Sequence, residues 1–185
     1  MPGSADIYAS EREKWRNFPR IRPPDVFVPG PGQESVWDYP RPPRVDAASR
    51  RVRVEFQSIV LADTTRALLV CETSSPPVYY VPQSDIRIEY LEPSTRTSFC
   101  EWKGLASYWS VRVGSRFAKD SAWSYPRPDP GYEAITDYIA FYPRRMDACW
   151  VGDNRVTPQP GLYYGGWVTP DLTGPFKGAP GTEGW

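Results

Sequence analysis

Arg51-Val52-Arg53-Val54-Glu55-Phe56-Gln57 decides the fold. Val52, Val54 and Phe56 alternate with charged or polar residues, the period of two that a half-buried β-strand requires. Working outward, Ser58–Ala62 and Ala67–Glu72 are two apolar runs separated by Asp63-Thr64-Thr65-Arg66, which predicts a hairpin. Val78–Val81 follows the turn Ser74-Ser75-Pro76-Pro77, and Ile86, Ile88 and Tyr90 alternate with Arg87 and Glu89. Tyr108, Ser110 and Arg112 alternate with Trp109, Val111 and Val113, and Met146–Val151 faces Arg155-Val156 across Gly152-Asp153-Asn154. Only Tyr132–Tyr138 reads as helical within this region. Many short strands with turn signals predict a mainly β fold, a small barrel or two packed antiparallel sheets.

Proline marks the limits of that core. Nine of the 22 prolines precede residue 45 and five follow residue 156. Proline lacks an N–H and fixes φ, so both flanks are excluded from interior strands. The sequence therefore divides into an N-terminal arm (1–50), a β core (51–156) and a C-terminal arm (157–185). Ser4–Asn17 is predicted as one short helix, with Ile7, Tyr8 and Trp15 near one face. The arms also carry Phe18, Phe27, Trp37, Tyr39, Tyr163, Tyr164, Trp167, Phe176 and Trp185. Disordered linkers are poor in such rings, so the arms are expected to be ordered, over the core or over a second subunit.

Composition removes several function classes. The 185 residues hold 22 Lys+Arg, 22 Asp+Glu, 3 Cys and no His. Without imidazole there is no Ser-His-Asp or Cys-His triad and no His-ligated metal site. Zero net charge gives no field to attract nucleic acid, and Pro40-Arg41-Pro42-Pro43-Arg44 is read as packing rather than a peptide-domain ligand. No apolar run is long enough to span a membrane, and no signal peptide is expected at the start. Three widely spaced cysteines without Cys-x-x-Cys predict reduced thiols, no zinc site and a cytoplasmic location.

A family resemblance rests on Val52-Arg53-Val54-Glu55-Phe56, Glu72-Thr73-Ser74-Ser75-Pro76-Pro77-Val78-Tyr79-Tyr80, Thr97-Ser98-Phe99-Cys100-Glu101-Trp102-Lys103-Gly104, Ala106-Ser107-Tyr108-Trp109, Ala122-Trp123-Ser124-Tyr125-Pro126 and Ala140-Phe141-Tyr142-Pro143. In this order they resemble the DUF427 family, a domain of unknown function, over about Arg51–Val156. The resemblance implies a compact two-sheet antiparallel fold similar to the β-tent or Mss4-like architecture, without its zinc cysteines. Family members often carry His where Ser75 stands here, so this chain departs from them at that position. The nucleotidyltransferase label attached to the family is not supported: Gly114-Ser115 is followed by Asp120 but no Asp-x-Asp pair occurs to hold Mg²⁺.

Three groups are the candidates for chemistry. Cys100 and Lys103 are three apart; a nearby ammonium activates a thiol, and Lys103 alone suits an anionic ligand. A straight strand would point them to opposite faces, unless a turn at Gly104 intervenes; the plainer reading is a buried thiol and a Lys stem over Trp102. Glu72–Tyr80 presents hydroxyls on a rigid turn, with Tyr79 and Tyr80 facing opposite sides. Trp123, Tyr125, Tyr138, Phe141 and Tyr142 suit either a pocket or a core. Asp63 and Asp120 complete the candidate acids beside Glu72 and Glu101. The expected site is thus a ligand-binding set of Lys103, Arg96, Tyr80, Tyr108 and Trp123 for a small anionic or planar molecule, without a cofactor. The alternative is a His-free enzyme using Cys100 or Glu72. Self-association through the arms is a further expectation.

Overall fold

The structure, a computed structural model, describes residues 7–182 and Trp185. The chain begins with helix α1 (Ala9–Arg16), followed by strands β1 (Glu34–Ser35), β2 (Arg44–Ala47), β3 (Val52–Phe56), β4 (Ile59–Thr64) and β5 (Leu68–Cys71). Next come β6 (Val78–Pro82), β7 (Leu91–Cys100), β8 (Gly104–Val113), β9 (Arg116–Ser124) and β10 (Tyr138–Phe141). The remaining strands are β11 (Ala148–Val151), β12 (Asn154–Arg155), β13 (Thr157–Pro158), β14 (Trp167–Val168) and β15 (Leu172–Thr173). The fold is mainly β, and no sheet closes into a barrel.

Two antiparallel sheets carry the architecture. The larger has seven strands in the order β2-β5-β6-β10-β9-β8-β7, and the smaller has four in the order β12-β11-β3-β4. β3 shows why the smaller sheet packs as it does. Val52, Val54 and Phe56 are buried and Arg53 is exposed, so one face must leave water. Gln57 and Ser58 both have positive φ, the two-residue geometry that reverses β3 tightly into β4. The buried face meets Tyr79, Val81, Val111, Ile139 and Phe141 of the larger sheet, with Leu61, Cys149 and Val151 completing the core. Burying such side chains contributes roughly 1.5–3 kcal/mol each.

The opposite face of the larger sheet is also buried. Tyr80, Tyr108, Trp123, Ala140 and Tyr142 point away from the main core into a second apolar cluster with Trp102, Tyr125, Tyr132 and Ile135. Tyr79 and Tyr80 therefore do face opposite sides, as do Phe141 and Tyr142. That second cluster is covered by the arms, which are tied to each other. β1 pairs in parallel with β15, Trp37 Nε1 donates to the Pro175 carbonyl at 2.8 Å, and the Trp37 and Trp185 rings lie 5.1 Å apart. Trp167 of β14 is fully buried in the main core, its Nε1 donating to the Phe141 carbonyl.

Three local expectations are corrected. β4 and β5 do not form a hairpin: β4 pairs with β3, whereas β5 pairs with β2 and β6. The turn at Asp63–Arg66 carries the chain from one sheet to the other, fastened by Thr64 Oγ1 and Arg66 donating to Asp85. Ile86–Tyr90 is not a strand. Ile88–Tyr90 forms a 3₁₀ turn, because Ile86 bridges to Ala62 and the chain must swing round to begin β7. Tyr132–Tyr138 is helical only as a 3₁₀ turn at Glu133–Ile135, and Tyr138 already pairs with Pro82 in the sheet. The predicted N-terminal helix is present as α1; its predicted start at Ser4–Asp6 lies outside the described residues.

Candidate functional site

The β7–β8 turn creates the centre of the site. Cys100 pairs with Gly104, so residues 101–103 form the turn and fold Lys103 back over Cys100. Gly104 has φ +87°, and a Cβ there would lie 2.7 Å from Asp129 Oδ1. Only glycine accepts both conditions. Asp129 N–H donates to the Lys103 carbonyl at 3.0 Å and fixes the turn from outside. The Lys103 ammonium faces Cys100 and lies 5.8 Å from the Tyr125 ring centroid. Burial alone pushes this ammonium down, but the groups facing it, the Glu72 carboxylate among them, outweigh burial and hold it above its ordinary range. Lys103 therefore stays charged at neutral pH.

An aromatic wall rises beside it. Trp123 and Tyr142 have ring centroids 4.4 Å apart, and Trp123 Nε1 reaches the Tyr80 hydroxyl at 3.3 Å. Burial pushes Tyr80 up to about 12 and holds Tyr125 and Tyr142 well above the usual phenol range. These hydroxyls stay protonated and can donate. Tyr108 OH and Ser98 Oγ share a 2.9 Å hydrogen bond, and the Arg96 guanidinium covers the Tyr108 ring at 4.3 Å.

The arms roof this floor. Tyr8 stacks on Phe99 at 4.2 Å with nearly parallel rings, Arg12 pairs with Asp129, and Arg16 Nε donates to the Glu101 carbonyl at 3.0 Å. Further along, Arg20 donates to the Thr73 carbonyl at 2.7 Å and to Glu72 at 3.0 Å, while Arg41 reaches Glu101 at 3.4 Å. From the other arm, Gly165 sits on the Trp123 ring, and Lys177 lies 5.4 Å from the Tyr164 ring centroid. The cavity, partly open to solvent, measures about 570 Å³. That is within the range of small-molecule sites.

Six of the sequence-predicted residues line this cavity: Lys103, Cys100, Glu72, Tyr80, Tyr108 and Trp123. Arg96 stands behind the wall, over Tyr108. Ser75, where family members often carry His, is on the wall too. Asp63 and Asp120 are elsewhere, paired with Arg51 at 2.5 Å and with Ser94 at 2.5 Å. Sequence reasoning did not place Tyr8, Glu11, Arg20, Tyr163 or Lys177 at the site. Their only sequence signal was the density of rings and charges in the arms. Among the described residues, no three His, Cys, Asp or Glu side chains are grouped to hold a metal ion. No helix among them is long and apolar enough to cross a membrane.

No curated protein matches the chain. The family described as Domain of unknown function (DUF427) matches residues 44–152, from the first residue of β2 to the turn that follows β11. The matched segment contains both large sheets except β12, together with the Cys100–Lys103 turn and the aromatic wall, and the chain belongs to the DUF427 family.

Proposed function

We propose that the protein is a small-ligand-binding module whose cavity takes a small, planar, anionic molecule. The observation that carries this reading is Lys103, an ammonium held charged at the wall of a cavity lined by Tyr80, Tyr125, Trp123 and Tyr142. The carboxylates beside it are occupied: Glu72 by Arg20 and Glu101 by Arg41. A ring stacked on the wall with its negative group toward Lys103 would satisfy both surfaces. Thermal-shift and calorimetric screening against planar organic anions tests the reading. A hit lost in Lys103→Ala supports it; hits indifferent to that change, or none at all, count against it.

A second reading is favoured by one feature, the 101–103 turn that brings Lys103 to face Cys100 on the cavity wall. It makes Cys100 the nucleophile of an enzyme that works without histidine. Turnover of an identified substrate unchanged in Cys100→Ser removes this reading. The three free cysteines support a reducing, cytoplasmic setting. Exposed Ile21, Phe27 and Val28 on the N-terminal arm support self-association. Light scattering of the full chain beside Phe27→Ser/Val28→Ser checks it, and a monomeric mass for both opposes it.

A further inference from the structure

The cavity has two chemically different ends. The aromatic end is formed by Trp123 and Tyr142. At the other end, Arg20 and Lys177 line the wall together with Glu72, Glu101 and Lys103, and Arg41 stands behind them. Lys177 is brought there by its backbone, whose N–H donates to the Ser74 carbonyl at 2.8 Å, two residues from Glu72. Four cations thus surround two carboxylates. The other acid on the wall, Glu11, belongs to α1, which also carries Arg12 and Arg16.

The donors at this end exceed the acceptors. Arg20 Nε and Arg41 Nη1 are buried and meet no hydrogen-bond partner among the described residues. Buried guanidinium donors without acceptors are costly. Their side chains are almost fully withdrawn from solvent, so bulk water is a poor substitute acceptor. Lys177 Nζ donates to the Trp185 carbonyl; burial, with Arg41 nearby, pushes the ammonium down from its ordinary value against the pull of Glu72 and Glu101. A group with several acceptor oxygens and a charge near −2 would offset the surplus of positive charge that Lys103, Lys177 and Arg20 bring to this wall.

Resting on the reading of this cavity as a ligand site, we propose that its charged end, formed by Lys103, Lys177 and Arg20, binds the phosphate of an aromatic phosphate monoester. The ring of that ligand lies against Trp123 and Tyr142. Arg20, its fork held by the Thr73 carbonyl and Glu72, contributes a fixed positive charge, and the two lysines contribute ammonium donors that phosphate oxygens can accept from different directions.

Calorimetry on the full chain with phenyl phosphate, and with benzoate as a monoanionic ring, tests this. Phenyl phosphate is expected to bind about tenfold or more tightly than benzoate, the size of one charge-assisted hydrogen bond. Lys177→Met should erase that preference while leaving benzoate affinity within about twofold, and Lys177→Arg should keep it. Equal affinities for the two ligands, or equal losses for both in Lys177→Met, would overturn the phosphate assignment and leave the ring site standing. Binding of neither would overturn both. Were Lys177→Met unstable, the ratio of the two affinities in the unaltered protein still decides.

Discussion

Gly165 lies against the Trp123 indole so closely that a Cβ on it would come within 2.3 Å of Cη2 and 2.9 Å of Cζ3. The roof of the cavity therefore touches its floor through a residue with no side chain. Gly165→Ala must lift the C-terminal arm or turn the indole. The expected cost is about 1–3 kcal/mol, with a melting temperature lower by several degrees. Indole fluorescence should change in parallel. An unaltered melting temperature and spectrum would show that the arm does not bear on Trp123.

Thiol accessibility separates the three cysteines. Cys71 and Cys149 are buried, and burial pushes the Cys71 thiol up to about 12. Cys100 is partly exposed on the cavity wall. Iodoacetamide at pH 8 should label Cys100 in the native protein, leaving the other two for denaturant. Mass spectrometry reads the outcome, and labelling of Cys71 or Cys149 ahead of Cys100 contradicts the arrangement.

Alkaline stability follows from Tyr79 and Tyr80, one on each face of the larger sheet. Burial pushes both up to about 12. A phenol whose folded pKa is raised binds its proton more tightly when folded, so its contribution is complete below pH 10. That contribution falls as pH rises from about 10 to about 12, by roughly 1 kcal/mol per pH unit for each ring. Urea titrations at pH 9, 10 and 11 should show this loss, with the tyrosinate absorbance of buried rings appearing only with unfolding. Constant stability across that range would refute it.

Asp120 is held at φ +50°, a backbone region that Asp and Asn tolerate better than other side chains. Its carboxylate accepts from Ser94 Oγ at 2.5 Å, and its N–H donates to Ser110 Oγ at 3.0 Å, joining irregularities on two neighbouring strands. Asp120→Asn should cost less than about 1 kcal/mol, and Asp120→Ala about 1–3 kcal/mol. Denaturant midpoints check the order, and equal losses would disprove the role of the backbone conformation.

What the sequence made legible follows the range of the interactions involved. The alternation at Val52–Phe56 reports burial of one face, a property of the strand itself, and it appears in the structure as read. Asp63–Arg66 has the composition of a reversal, but composition does not say which sheet the next strand joins. That choice is made by β2 and β6, distant in sequence from the turn. The same division applies to the cavity. Cys100 and Lys103 come together through a turn three residues long, which Gly104 announces. Arg20 and Lys177 reach Glu72 and its surroundings across 52 residues of chain in the first case and around the whole core in the second. Their meeting depends on where two proline-rich arms lie, and proline pattern predicts only where those arms are not.

The parallel pairing of β1 with β15 joins residues 34–35 to residues 172–173. A growing chain emerges from the ribosome beginning with its N-terminal end. The strands of both large sheets precede Gln159, Gly165 and Lys177 in the chain, and those three residues complete the cavity wall. A product clipped or stalled after β12 would keep the segment that defines its family and lose the part of the cavity wall formed by Gln159, Gly165 and Lys177. Completion of the cavity wall therefore depends on residues that lie outside the segment defining the family.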